Sequence, residues 1–132
     1  MNKILLLAIG LLALAACSPK VKDAGVDYFA KAEALKTESE AIQLSIKDTI
    51  QGLHQERNAI MVQGRTLTAD ELAFVEKVND ILTIQGKYHQ FQDDIAKSEN
   101  AYEPNGKELL YLNEQALKLA KLLQQKISKQ VK

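Results

Sequence analysis

A helical repeat, broken twice, limits what this chain can fold into more than any other feature. From Tyr28 onward, alternating steps of four and three pick out Tyr28, Ala32, Leu35, Ser39, Ile42, Ile46, Thr49, Leu53, Glu56 and Ile60. An α-helix turns once in about 3.6 residues, so this spacing gathers those side chains on one face. Most are apolar and mark a buried stripe; Ser39, Thr49 and Glu56 interrupt it, so it is not a clean coiled-coil seam. Gly52 lies inside the pattern, where glycine costs about 1 kcal/mol relative to alanine, and a bend is expected there. The composition points the same way: the chain is rich in Leu, Ala, Lys, Glu and Gln, has no Trp, and has Pro only at Pro19 and Pro104.

The first break is Gly64-Arg65-Thr66-Leu67. Thr68-Ala69-Asp70-Glu71 then has the spacing of a capping box, with Leu67 and Leu72 placed as a hydrophobic staple. The stripe that follows runs through Phe74, Val78, Ile81, Tyr88 and Ile95, widened by Leu72, Val75, Leu82, Ile84 and Phe91. Gln85 and Gln92 fall within it and need hydrogen-bond partners if buried. The second break, Asn100 to Pro104, leads to Asn105-Gly106-Lys107-Glu108, where Asn105 can cap and Glu108 can reach back. Beyond it Leu109, Leu112, Ala116, Leu119 and Leu123 form a third stripe, broadened by Leu110, Leu117, Ala120, Leu122 and Ile127. Helices are expected at about 26–63, 69–98 and 106–130, in a single domain over 26–132. Short connections between long helices make neighbours antiparallel. The expected fold is therefore all-α: an antiparallel up-down-up three-helix bundle, following a cleaved signal peptide and a short tether.

The residues before the bundle read as an address. Lys3 lies beside the amine, an apolar run extends from Ile4 to Leu14, and small residues end at Ala15-Ala16-Cys17. That is the layout of a secretory signal. The run is shorter than the roughly twenty residues needed to cross a bilayer and gives way to Ser18-Pro19-Lys20. Residues 1–16 are expected to be a signal peptide. Residues 17–25, with Pro19, Gly25 and mixed charge, read as a tether that spans about 25–30 Å when extended.

Leu14-Ala15-Ala16-Cys17 resembles the lipobox of bacterial lipoproteins over all four positions. The resemblance implies that the Cys17 thiol receives a diacylglycerol, that cleavage falls just before it, and that the new amine is acylated. Several acyl chains on one residue make a lasting anchor where one chain is marginal. By the same resemblance, Ser18 in place of an aspartate implies an outer-membrane address facing the periplasm. Cys17 is the only cysteine, so no intramolecular disulfide can form.

The remaining candidates are sparse. Lys and Arg total 17 and so do Asp and Glu, which gives no general electrostatic reason to bind nucleic acid. His54 and His89 are the only histidines. His89 and Asp93 have a spacing that could share a metal, but no second close pair completes a zinc set, so a local ion pair on a solvated face is expected and no metal site. Neither a nucleophile elbow nor a glycine-rich phosphate cradle occurs, so no enzymatic activity and no cofactor are expected beyond the lipid on Cys17.

Lys126, Lys129 and Lys132 make the last helix end basic, which offsets the helix dipole and offers contact to an anionic partner such as the cell wall. A terminal lysine after Cys17-Ser18 is similar to the murein lipoproteins, which are joined to peptidoglycan through that residue. Those proteins are one regular heptad helix, and the capped breaks here depart from that. Tyr102, in the second connection, is placed to meet either a membrane surface or the bundle end. Two functional expectations follow. The first is a membrane-anchored envelope lipoprotein that acts, without catalysis, as a protein-binding adaptor, escort or inhibitor. Helical lipoproteins that escort secretin subunits illustrate this role, although their motifs are not found here. The second is a structural lipoprotein linking outer membrane to peptidoglycan through its basic end.

Overall fold

The structure of the protein, a computed structural model, describes residues 27–131. The expected signal peptide (1–16), the tether with Cys17, and Lys132 lie outside the described residues. Within them the chain is all-helical, with three helices and no strand: α1 (Tyr28–Met61), α2 (Ala69–Glu99) and α3 (Gly106–Val131). The expectation of an all-α fold built from three helices holds.

Each helix starts where a side chain satisfies a backbone N–H that the first turn leaves unpaired. Asp27 accepts from the Ala30 N–H at 3.1 Å. At α2 both halves of the capping box form: the Thr68 hydroxyl accepts from the Glu71 N–H (3.1 Å), and the Glu71 carboxylate accepts from the Thr68 N–H (2.9 Å). Asn105 accepts from the Glu108 N–H at 3.1 Å; of the reciprocal box expected there, only this half is formed among the described residues. Helix α1 runs unbroken through Gly52 and ends at Met61, covering the stripe to Ile60 and falling two residues short at each end of the expected 26–63. Gly64 turns the chain beyond it in a left-handed conformation (φ 67°) that costs glycine little.

Two clusters make up the core. One joins Ala32, Tyr88, Ile95, Leu109, Ala116 and Ala120; the other joins Ile46, Ile50, Ile81, Ile84, Leu123 and Ile127. A fully buried side chain of the size of Ile81 or Leu123 contributes about 1.5–3 kcal/mol. On α3 the buried face follows Leu109, Asn113, Ala116, Ala120, Leu123 and Ile127. Leu112 and Leu119, which the sequence placed at the centre of the stripe, are only half-buried. Leu72, expected as half of a staple, is 49% exposed.

Helix α3 packs broadly on both other helices, whereas α1 and α2 touch sparingly. Their polar links are the pairs Lys36 with Glu99, Ser39 with Tyr88, Gln43 with Gln85, and Arg57 with Asn79. The starts of α1 and α3 meet closely: a methyl group added at Gly106 would lie 2.9 Å from the Tyr28 Cβ and 3.1 Å from the Phe29 ring. At the other end of α3, Lys126 reaches Asp80 of α2. No described helix is long and apolar enough to cross a membrane.

Candidate functional site

Because α1 and α2 barely touch, a groove opens between them with α3 as its floor. Its central cavity, about 220 Å³, is walled by Ser39 of α1 and Tyr88, Gln92 and Ile95 of α2, with Asn113 and Ala116 of α3 below. A cavity of about 200 Å³ adjoins it toward Phe29 and Pro104 and shares Glu99 and Asn113. A third, of about 370 Å³, adjoins it toward Leu44 and Lys47 and shares Glu40, Tyr88 and Gln92. The groove therefore follows α1 from Phe29 to Lys47, a length of about 27 Å at 1.5 Å per residue.

A continuous polar chain lines this groove. Gln43 and Gln85 exchange two hydrogen bonds, at 3.1 and 2.9 Å. The Gln85 amide meets His89 Nε2 at 3.2 Å, and His89 Nδ1 meets the Gln92 carbonyl oxygen at 2.9 Å. Gln92 donates to the Tyr88 hydroxyl at 3.2 Å, Tyr88 donates to Ser39 at 3.4 Å, and Ser39 donates to the Lys36 carbonyl at 3.1 Å. The amide pattern assigns the His89 proton to Nδ1, since Nε2 faces an N–H donor. Burial raises the Tyr88 pKa above the usual tyrosine value, which keeps the phenol protonated and able to donate.

The rim carries an ion pair, Lys36 to Glu99 at 3.0 Å, with each side chain about a third exposed. The hydrogen bond that Lys36 donates to the Glu99 carboxylate raises the Lys36 pKa. Below the rim Asn113 is 1% exposed and donates from Nδ2 to the Leu109 carbonyl at 2.8 Å. Its Oδ1 is buried without a hydrogen-bond partner. A buried acceptor left unpaired costs about 1–3 kcal/mol, so this atom marks a place where the fold gives up stability.

The polar groups of the groove are engaged with one another. The Ser39 hydroxyl is engaged by Tyr88 and the Lys36 carbonyl and is not paired with a base; His89 is held between two glutamines and not by Asp93. Among the described residues no three His, Cys, Asp or Glu side chains gather as a metal site.

The residues singled out from sequence lie elsewhere. Lys126 forms a 2.7 Å ion pair with Asp80, and together with Lys77 and Lys129 they wall a separate shallow cavity of about 190 Å³ on α2 and α3. Tyr102 is 98% exposed in the α2–α3 connection, so it does not fold back onto the bundle end. Cys17 and Lys132 lie outside the described residues. Sequence reasoning missed Asn113 and the Lys36–Glu99 pair. It noted Ser39 only as an interruption of an apolar stripe, and Gln85 and Gln92 as residues within a stripe that need hydrogen-bond partners, which the groove supplies.

Comparison of the chain with protein families, with curated proteins and with solved structures finds no match.

Proposed function

We propose that this chain is the precursor of a lipid-anchored envelope lipoprotein whose helical domain binds another protein and performs no catalysis. The observation that carries the anchor is Leu14-Ala15-Ala16-Cys17 directly after a short apolar run. Cleavage leaves Cys17 as the first residue, bearing a diacylglycerol and an N-acyl chain, and Ser18 favours the outer membrane. The three helices run up, down and up. The opposed numbering of the pairs Lys36–Glu99, Gln43–Gln85 and Arg57–Asn79 supports this run, as does the meeting of Tyr28 with Gly106.

In that arrangement Tyr28, Phe29 and Tyr102 stand at the end nearest the tether, and Lys126 and Lys129 point away. Tyr102, almost wholly exposed, and Phe29, half exposed, then face lipid headgroups, where amphipathic aromatics are favoured. The α1–α2 groove opens sideways, with Leu44 78% exposed on its edge, and is the surface that receives the partner.

Mass spectrometry of the mature N-terminus tests the anchor: an unmodified Cys17 sinks it. A photo-crosslinking residue at Leu44 tests the groove, and one dominant heterologous adduct in intact cells is expected. Self-adducts alone would point to a homo-oligomeric structural role. The alternative is a structural lipoprotein that links the outer membrane to peptidoglycan through its basic C-terminal end. Complete release of the protein from sacculi by detergent would end it.

A further inference from the structure

We propose that Asn105–Gly106 is a site of spontaneous covalent modification: the dipeptide rearranges through a succinimide, and the isoaspartate so formed releases the start of α3 from α1. The proposal stands on the second connection and depends on neither the lipid anchor nor the groove. Asn105 is the one asparagine of the chain that glycine follows, and it is exposed. Gly106 has no side chain to hinder its nitrogen, and as the first residue of α3 its N–H is among those that a helix leaves without an intrahelical acceptor. The other described asparagines differ. Asn58, Asn79 and Asn113 lie inside helices, where the following N–H is held in the helical ladder. After Asn100, the Ala101 N–H donates to the Ser98 carbonyl at 3.3 Å.

In the step itself the Gly106 nitrogen gives its proton to solvent base and attacks Asn105 Cγ. A C–N bond forms, the bond from Cγ to Nδ2 breaks, and Nδ2 leaves as ammonia with a proton from water. Water, the one co-reactant, then opens the ring at either carbonyl. Attack at Cγ restores the main chain with an aspartate, which caps a helix as asparagine does. Attack at the backbone carbonyl leaves the main chain running through Cβ and Cγ, one carbon longer, with the former carbonyl as a free carboxylate. The packing leaves no room for that carbon: even a methyl group on Gly106 would lie 2.9 Å from the Tyr28 Cβ. The same contact holds glycine at this position, so packing itself preserves the reactive pair. Rearrangement also displaces two acceptors that start α3, since Asn105 Oδ1 accepts from the Glu108 N–H at 3.1 Å and the Asn105 carbonyl from the Leu109 N–H at 3.0 Å. The bundle then loosens at the end where Lys107 lies over the Tyr28 ring.

The test ages the full chain in neutral detergent micelles in mildly alkaline buffer and maps its peptides by mass spectrometry, with enzymatic methylation marking isoaspartate. Amide loss at Asn105 at least about tenfold faster than at Asn100 is expected, with isoaspartate among the products. Asn105→Asp keeps the cap but has no ammonia to lose, and forms isoaspartate at least about tenfold more slowly. In the isoaspartate fraction, amide exchange over residues 108–112 accelerates by at least about tenfold, while exchange over 68–72 stays as in the fresh chain. The aspartate fraction keeps its protection. Amide loss at Asn105 no faster than at Asn100, or unchanged exchange over 108–112 in the isoaspartate fraction, would overturn the proposal.

Discussion

Toward Ile127 the core is closed by branched aliphatic side chains from all three helices, Ile46, Ile50, Ile81, Ile84 and Leu123 among them. Toward Gly106 it is closed by three alanines, Leu109, Ile95 and a tyrosine, with Ser39, Ser98 and Asn113 buried alongside. The first half packs by the shape of its aliphatic side chains. The second sets small residues beside hydrogen-bonding ones, and the cavities of the groove lie there. Close packing and open space are therefore separated along one bundle: the aliphatic half holds the helices together, and the polar half leaves cavities between them.

The largest test of this division is Leu123→Ala. Leu123 is 0% exposed in the aliphatic half, and truncation should lower unfolding stability in urea by about 3 kcal/mol without changing the denaturant slope. A loss below about 1 kcal/mol would show that this half collapses easily and does not carry the fold. Gly106→Ala comes next. Its new methyl group would press on the Tyr28 Cβ, a point with no rotamer freedom, and a loss of about 1–2 kcal/mol is expected.

Asn113→Leu should carry the opposite sign. Replacing a buried amide that has an unpaired oxygen with an apolar group of similar size raises stability by about 1 kcal/mol. Destabilisation would mean that the polar half is as tightly packed as the aliphatic one, and the comparison would fail.

The smallest effect lies outside both halves, at the start of α2, where Arg65 grips Glu71 (Nη1 to Oε1, 2.8 Å). That hydrogen bond, with the one from the Thr68 backbone, lowers the Glu71 pKa to about 2. A carboxylate with a depressed folded pKa stabilises the fold fully above its unfolded value near 4.5, and the contribution fades as pH falls toward about 2. Amide exchange at Thr68–Leu72 should therefore accelerate across that acid window in the parent chain. In Glu71→Gln it should already be faster at neutral pH and change little further. Parallel acid responses in the two chains would refute the role.

The local features could be read from sequence because their causes are local. Thr68 and Glu71 lie three residues apart, so their capping box depends on nothing distant. The three apolar stripes follow from helix period in the same way. The pairings across the groove could not be read, because Ser39 with Tyr88 and Gln43 with Gln85 depend on how two helices slide against each other. The stripe on α3 shows the limit most clearly. Leu112 and Leu119 have the hydrophobicity of a core, yet the buried face runs through Asn113 and Ala120, where small or polar side chains let the helices approach. Hydrophobicity alone selects the larger residue, whereas close helix packing selects the shape.

The sparse contact between α1 and α2 bears on the timing of folding. Neither of the first two helices has much to bury without the third, and the third comes last in chain order. The first two helices therefore make a sparse hairpin whose burial depends on the third. The apolar surface closes only when the segment around Leu123 emerges. The bundle's own connectivity thus places the closing of its core at the end of the chain.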